Sequence, residues 1–249
     1  MISKNQIKFV RQLEQKKFRH REGVFVAEGT KVVGDLLKAG FSPITIYATK
    51  EWLNCELSIV NCQLIEVSPE DLRRLSFLQH PQQVLALFPI PSQNCELPIV
   101  NCELSIALDG IQDPGNLGTI IRIADWFGIS NIICSEDTVD AWNPKVVQAT
   151  MGSIARVNII YNNLPEFLDT LPSDFPVYGT FLDGENIYTQ ELTPHGLIIM
   201  GNEGNGISDA VRAKVNRRLL IPDFHQGETA DSLNVAIATA ITVSEFRRR

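Results

Sequence analysis

Gly196-Leu-Ile-Ile-Met-Gly-Asn-Glu-Gly-Asn-Gly-Ile207 joins a short apolar run to three glycines and then to a helical pattern over Asp209–Val215. A buried strand that ends in a glycine loop and opens a helix is the repeating unit of α/β proteins. Working outward, Leu104–Leu108, Asn131–Cys134, Val177–Phe181 and Arg218–Ile221 read as further strands. Leu117–Phe127, Lys145–Met151 and Leu233–Phe246 read as helices. This alternation predicts a mostly parallel sheet with helices on both faces. The glycine order G-x-x-G-x-G is not the G-x-G-x-x-G that brings a dinucleotide pyrophosphate onto a helix, although Asp223 does follow at a suitable distance. A nicotinamide cofactor is therefore a weak reading. Gly201, Gly204 and Gly206 still permit a close backbone approach to some ligand, and Glu203 places a carboxylate among them.

Two other segments meet the same sheet edge. In Leu108-Asp-Gly-Ile-Gln-Asp-Pro-Gly-Asn-Leu-Gly-Thr-Ile-Ile-Arg122 a strand ends, turns through Asp113-Pro114-Gly115 and opens a helix near Asn116, a residue suited to the N-cap. Arg122 would then stand near the carboxyl edge, where α/β proteins bind ligands; a plain turn and cap with a surface arginine fits the same residues. The third segment runs from Leu219-Leu-Ile-Pro222 through Asp223-Phe-His-Gln-Gly-Glu-Thr-Ala-Asp231 to Ser232-Leu-Asn-Val235, which opens a long apolar helix. Asp231 or Ser232 can cap that helix, which on its own is ordinary capping chemistry.

The N-terminal part reads as a separate small α/β unit. Helical spacing covers Ile2–Phe18, a strand follows at Val24–Val26, and a helix covers Thr30–Ala39 before Gly40. Ile44–Ala48, Gln63–Val67 and Val84–Phe88 read as strands, with a helix over Pro69–Leu75. Pro89, Pro91 and Pro98 mark a linker. The expected division is 1–92, 93–103 and 104–249.

Asn54–Cys62 (NCELSIVNC) and Asn94–Cys102 (NCELPIVNC) are near-copies, best read as a repeat inserted in two surface loops. Cys55, Cys62, Cys95 and Cys102 thus descend from one unit whose cysteine spacing is wider than zinc sites use, so no metal is expected. Cys134 reads as a small core residue.

The formal net charge of −7 argues against a surface coated in nucleic acid. The charge is uneven, however. Residues 1–40 hold nine basic side chains (Lys4, Lys8, Arg11, Lys16, Lys17, Arg19, Arg21, Lys31, Lys38) against Glu14, Glu22, Glu28 and Asp35. If RNA binds, it should touch this segment first; a solvated helix face would show the same charges. No stretch approaches the roughly 20 apolar residues that span a bilayer, and Met1–Arg11 has no signal-peptide core, so the cytoplasm is the expected location.

N-x-G-x-x-x-R, GNEGNGI, and LLIP followed by SLN, in that order, resemble the three signature motifs of the SpoU/TrmH family of SPOUT methyltransferases. The resemblance covers about Ala107 to Glu245. The preceding EGTKVVGDLL and QHPQQVLAL look like the RNA-binding domain that many members carry in front. The resemblance implies a deep trefoil knot in the C-terminal domain, a homodimer, and S-adenosylmethionine held by backbone groups around Thr180, Gly201, Ile221 and Leu233. It also implies a catalytic cluster of Asn116, Arg122, Glu203, Ser232 and Asn234, partly shared across the dimer. The chain departs from the family pattern at Asp223-Phe224, where methionine commonly follows the proline.

The implied reaction is methyl transfer to a ribose 2′-hydroxyl of structured RNA, ribosomal in preference to transfer RNA. Because guanidinium stays protonated in proteins, Arg122 is assigned a phosphate clamp and alkoxide stabiliser. Asn116, Ser232 and Asn234 are then orienting groups, and Glu203 holds Arg122 or a hydroxyl. His20, His80, His195 and His225 lie outside the motifs and read as structural or solvent-exposed. The competing reading is a catalytically inactive RNA-binding protein on the same fold.

Overall fold

The structure, a computed structural model, describes residues 2–56, 62–92, 103–225 and 231–248. Most of both NCELxIV copies and nearly all of the expected linker lie outside the described residues. Packing divides the chain into Met1–Ser92 with Asp140–Arg156, and Gln93–Val139 with Val157–Arg249.

The first unit holds β1 (Val24–Glu28), β2 (Thr45–Ala48), β3 (Gln63–Glu66) and β4 (Val84–Pro89) in the order β1-β4-β2-β3. Strand β4 runs antiparallel to β1 and β2, while β2 and β3 are parallel. Helices α1 (Lys4–Gln12), α2 (Lys16–Glu22), α3 (Thr30–Lys38), α4 (Lys50–Glu56) and α5 (Pro69–Leu75) surround it. Val24, Val26, Tyr47, Leu85 and Leu87 alternate along the strands onto one face and pack with Val10 and Leu13 and with Leu72 and Leu75 of α5. On β1, Phe25 points the other way, stacking on Phe88 at 5.6 Å and meeting Trp142 at 4.6 Å.

The helix expected over Ile2–Phe18 is two helices. A capping box starts α1, Ser3 Oγ accepting from the Gln6 amide while Gln6 Oε1 accepts from the Ser3 amide. Arg19, 1 % exposed, reaches back from α2 and donates to the carbonyls of Leu13 and Glu14 at 2.8 and 2.7 Å. Those carbonyls are satisfied without a continuing helix, so the chain breaks there. Arg19 Nε also donates to Asp140 Oδ2 at 2.9 Å, and Asp140 Oδ1 accepts from the Trp142 amide. A buried ion pair thus joins residues 121 positions apart inside one unit.

The second unit holds β5 (Leu104–Asp109), α6 (Pro114–Trp126), β6 (Asn131–Ser135), β7 (Asn158–Asn162), α8 (Leu164–Asp169), β8 (Val177–Asn186), β9 (Gly196–Gly201), α9 (Asp209–Arg212), β10 (Arg217–Leu220) and α10 (Val235–Arg248). Helix α7 (Pro144–Ala149) belongs to the first unit. The sheet order is β10-β8-β9-β5-β6-β7, and every pairing is parallel. Ala107, Ile133, Val177, Leu197 and Ile199 face α8 and α9 through Leu164, Phe167, Leu168 and Val211. The next residue along β8, Tyr178, turns to the opposite face and meets Phe246 of α10 edge-on at 4.8 Å. Helix α10 packs on α6. The parallel sheet with helices on both faces is therefore as the alternation predicts. Strands β7 and helices α4 and α8 have no counterpart in the sequence reading, and β8 extends well past Phe181.

Two helix starts differ from expectation. Asp113, not Asn116, caps α6: its Oδ1 accepts from the Asn116 amide at 2.8 Å and Pro114 occupies the first turn. Proline there loses no helical hydrogen bond, so Asp-Pro is the stronger start signal. Asn234, not Asp231 or Ser232, caps α10, its Oδ1 accepting from the amides of Ala236 and Ile237 at 3.0 and 3.3 Å.

Candidate active site at the carboxyl edge of the parallel sheet

The chain leaves β5 toward β6 and β7 on one side, while β9, β8 and β10 lie on the other. Loops that follow strands on either side of such a reversal leave a crevice at the carboxyl edge. Asp109 at the end of β5 pairs in register with Gly201 at the end of β9, which sets the two loops side by side.

Each loop is tied down by its own polar groups. Asp109, 8 % exposed, accepts from the Ser208 amide at 2.7 Å. Asn202 donates from Nδ2 to the Gly110 carbonyl at 2.6 Å, and its Oδ1 accepts from the amides of Gly204 and Asn205. A β-bridge closes the turn between Asn202 and Gly206, the latter at φ +69°. A Cβ on Gly201 would stand 2.3 Å from the Gly206 carbonyl carbon and 2.4 Å from the Ile207 nitrogen. Only glycine permits this approach of backbone to backbone.

A cavity of about 680 Å3 opens beside this loop. Thr180 to Asp183 of β8, Met200 to Ile207, Leu219 to Ile221 and Asp231 to Leu233 line it. Its rim is charged and aromatic. Arg212 and Arg218 stand over the Phe181 ring at 4.7 and 4.6 Å and both donate to Asp183, at 2.7 and 2.6 Å. Desolvation pushes the Asp183 carboxyl upward, but the two guanidinium charges more than offset it and hold it below the usual carboxylate range.

Of the residues expected to act, Thr180, Gly201, Glu203, Ile221, Ser232 and Leu233 line the cavity. Asn116 and Asn234 join it through a directed chain: Asn234 Nδ2 donates to Asn116 Oδ1 at 3.0 Å, and Asn116 Nδ2 donates to Glu203 Oε1 at 2.7 Å. The direction is set at its start. Asn234 must present oxygen to the α10 amides, so its nitrogen faces Asn116, and the Asn116 nitrogen faces the carboxylate. Helix start, two amides and a carboxylate are thereby polarised one way. Glu203 Oε2 carries no hydrogen bond among the described residues.

Arg122 is not brought into this chain. It is exposed on α6 with no hydrogen-bond or ion-pair partner among the described residues. Glu203 pairs with Asn116 instead. Ser232 lines the cavity but is exposed, without a hydrogen bond among the described residues. Sequence reasoning missed Asp109, Asn202 and the Phe181–Asp183–Arg212–Arg218 rim. A lone aspartate closing an apolar strand could have signalled the first; the rim joins segments too far apart in the chain to show.

Fold and cavity together define an α/β enzyme with a cofactor-sized site at its topological reversal. The chain belongs to the SpoU rRNA methylase family, whose model matches residues 103–244; the model of an MRM3-like substrate binding domain matches residues 4–86. It is 32 % identical to the 23S rRNA (guanosine(2553)-2′-O)-methyltransferase RlmP of Bacillus subtilis, over 98 % of this chain and 97 % of that one. A putative RNA methyltransferase of the TrmH family from Porphyromonas gingivalis superposes with a TM-score of 0.90 at 40 % identity, covering 100 % of this chain and 99 % of that one. The AdoMet-bound rRNA methyltransferase from Sinorhizobium meliloti gives 0.86 at 32 % identity, covering 100 % and 96 %.

Proposed function

We propose that this protein transfers the methyl group of S-adenosylmethionine to a ribose 2′-hydroxyl of ribosomal RNA, as a homodimer in the cytoplasm. The observation that carries the proposal is the amide chain from α10 through Asn234 and Asn116 to Glu203 at the cavity wall. A protein that only binds RNA has no need of it. Ribosomal rather than transfer RNA is favoured because the Bacillus subtilis and Sinorhizobium meliloti relatives are named for ribosomal RNA. Among the described residues no helix is long and apolar enough to cross a membrane, which is compatible with the proposed location.

The cavity residues fit the cofactor: the tightly packed Gly201–Ile207 loop lines one side of a space large enough for it, and Met200, Leu219, Ile221 and Leu233 supply apolar contact. Gly201, Thr180, Ile221 and Leu233 are assigned to hold it. When bound, it supplies a methyl group on a positively charged sulfur that needs no acid to leave. The protein must therefore align the ribose oxygen and take up its proton. Glu203 Oε2 is the acceptor available for that hydroxyl, with Oε1 fixed by Asn116. Asn116, Asn234 and Ser232 orient, and Arg122, always protonated, grips a phosphate and stabilises developing negative charge on the oxygen.

Arg122 reaches such a position in a dimer. Trp126, 85 % exposed, lies four residues on from Arg122 and so shares its face of α6; Ile237 of α10 is 52 % exposed. A second copy covering this apolar surface brings Arg122 beside the partner's cavity. The trefoil knot implied by the family belongs to the same proposal, since residues 201–207, 219–221 and 231–233 all contribute to the cavity wall.

The test is to incubate the protein with methyl-labelled S-adenosylmethionine and, separately, unmodified ribosomal and transfer RNA. Label entering ribosomal RNA, and lost with Arg122→Ala, is expected. Label in transfer RNA alone would overturn the substrate class, and label in neither, with cofactor bound, would favour the inactive binder.

A further inference from the structure

The first unit contains a second cavity, of about 280 Å3, lined by Val26, Glu28, Phe77, Pro144, Lys145 and Gln148 among others. This is just below the roughly 300 to 1,000 Å3 of small-molecule pockets, and suits one planar base. Its walls are apolar except for three side chains. Glu28 is 6 % exposed, a burial that an unpaired carboxylate does not tolerate. One oxygen accepts from the Ser76 hydroxyl and the other from the Phe77 amide at 2.8 Å. A carboxylate offers about four acceptor positions, so each oxygen keeps one.

The surroundings suit a polyanion. Lys4, Lys8 and Arg11 recur at i, i+4 and i+7 along α1 and are all exposed. Arg11 ends that stripe at the cavity: it donates to the Ser76 carbonyl and lies 4.8 Å over the ring of Phe77, a cavity wall. Lys145 adds an exposed cation on the wall that α7 supplies.

We infer that this cavity binds a guanine base turned out of the RNA, with Glu28 reading its Watson–Crick edge while the α1 stripe and Lys145 hold flanking phosphates. Guanine presents two adjacent donors, N1–H and N2–H, which match the two free acceptor positions of the carboxylate. Adenine places its N1 acceptor against the same oxygens and is rejected. Unstacked bases read on this edge beside aromatic or guanidinium planes are how proteins obtain sequence specificity from RNA. The pocket rests on the proposed RNA-directed function and adds to it a recognised base. Its α7 wall lies outside the 4–86 stretch of the substrate-binding model and inside the methylase stretch.

The test needs no catalysis and so stands or falls separately from the methyl-transfer reading. The full chain, with S-adenosylhomocysteine saturating the other cavity, is titrated with guanosine 5′-monophosphate and adenosine 5′-monophosphate by saturation-transfer NMR. Guanosine should bind at least tenfold tighter, equal to about 1.4 kcal/mol. Glu28→Gln, which replaces one acceptor by a donor, should bring the ratio below about twofold, and Ala149→Phe, which puts an aromatic ring into the cavity from its α7 wall and leaves the Glu28 carboxylate in place, should abolish binding of both. Equal binding of the two nucleotides by the wild type, or unchanged guanosine binding in Ala149→Phe, would overturn the assignment.

Discussion

Replacing Asp140 by alanine removes the only carboxylate that Arg19 contacts among the described residues, and Arg19 is 1 % exposed. Nη1 keeps its bonds to the Leu13 and Glu14 carbonyls, but Nε and Nη2 are left in the interior without an acceptor. The Trp142 amide loses Asp140 Oδ1 as well. Breaking a buried pair by removing one partner costs about 3–5 kcal/mol, against about 5–15 kcal/mol of total stability for a domain. Asp140→Ala should therefore destabilise the first unit by about 4 kcal/mol, whereas Arg74→Ala, which breaks an exposed pair with Asp71 at 3.1 Å, should cost under about 1 kcal/mol. The double variant Arg19→Met/Asp140→Leu should recover much of the loss, since it leaves no buried charge. Urea unfolding, read by hydrogen exchange in peptides from 13–28 and 140–156, separates the first unit from the second. A loss from Asp140→Ala no larger than that from Arg74→Ala would refute the reasoning.

Three further outcomes follow from the geometry. Gly201→Ala drives a Cβ into the Gly206 and Ile207 backbone, so the loop must open; calorimetry should show S-adenosylmethionine affinity falling by about tenfold or more while the first unit's stability is unchanged. Asn116→Ala cuts the amide chain between α10 and Glu203, and single-turnover kinetics should show the methyl-transfer rate falling about 10²-fold with cofactor affinity within about twofold of wild type. Burial raises the Glu28 carboxyl above its ordinary value of 4.5, although the Ser76 and Phe77 hydrogen bonds and the Arg11 charge pull it down. The folded state then holds that proton more tightly than the unfolded chain. Wild type should lose stability relative to Glu28→Gln as pH rises from 4.5 through the folded pKa, and a gap between their urea midpoints that does not change with pH would contradict this.

The catalytic half was legible because its signals are local. Leu197–Met200 is an apolar run bounded by glycines, and Gly201-Asn202-Glu203-Gly204 can only be a tight loop, so strand, turn and carboxylate follow from neighbours in the chain. Asp113-Pro114 carries an equally local start signal; placing the cap at Asn116 weighs the asparagine's own preference above the proline that fixes the first turn. What was not legible depends on distance. The break after α1 is set by Arg19, whose remaining partner Asp140 is 121 residues away, and helical spacing alone runs straight through it. The Asn116–Glu203 and Asn234–Asn116 bonds span 87 and 118 residues, so the motifs could be matched to a family but their order as a directed chain could not be read. The N-terminal basic excess likewise conceals that Arg19 is spent inside the unit, while Lys4, Lys8 and Arg11 stay exposed.

The most direct test of the central claim is the position of the transferred methyl group. RNA modified by the protein with labelled S-adenosylmethionine is digested to nucleosides and analysed by mass spectrometry. Label confined to a 2′-O-methylribose, and absent from the reaction of Glu203→Gln, is the predicted result; label on a base, or no label with the cofactor demonstrably bound, would contradict the account.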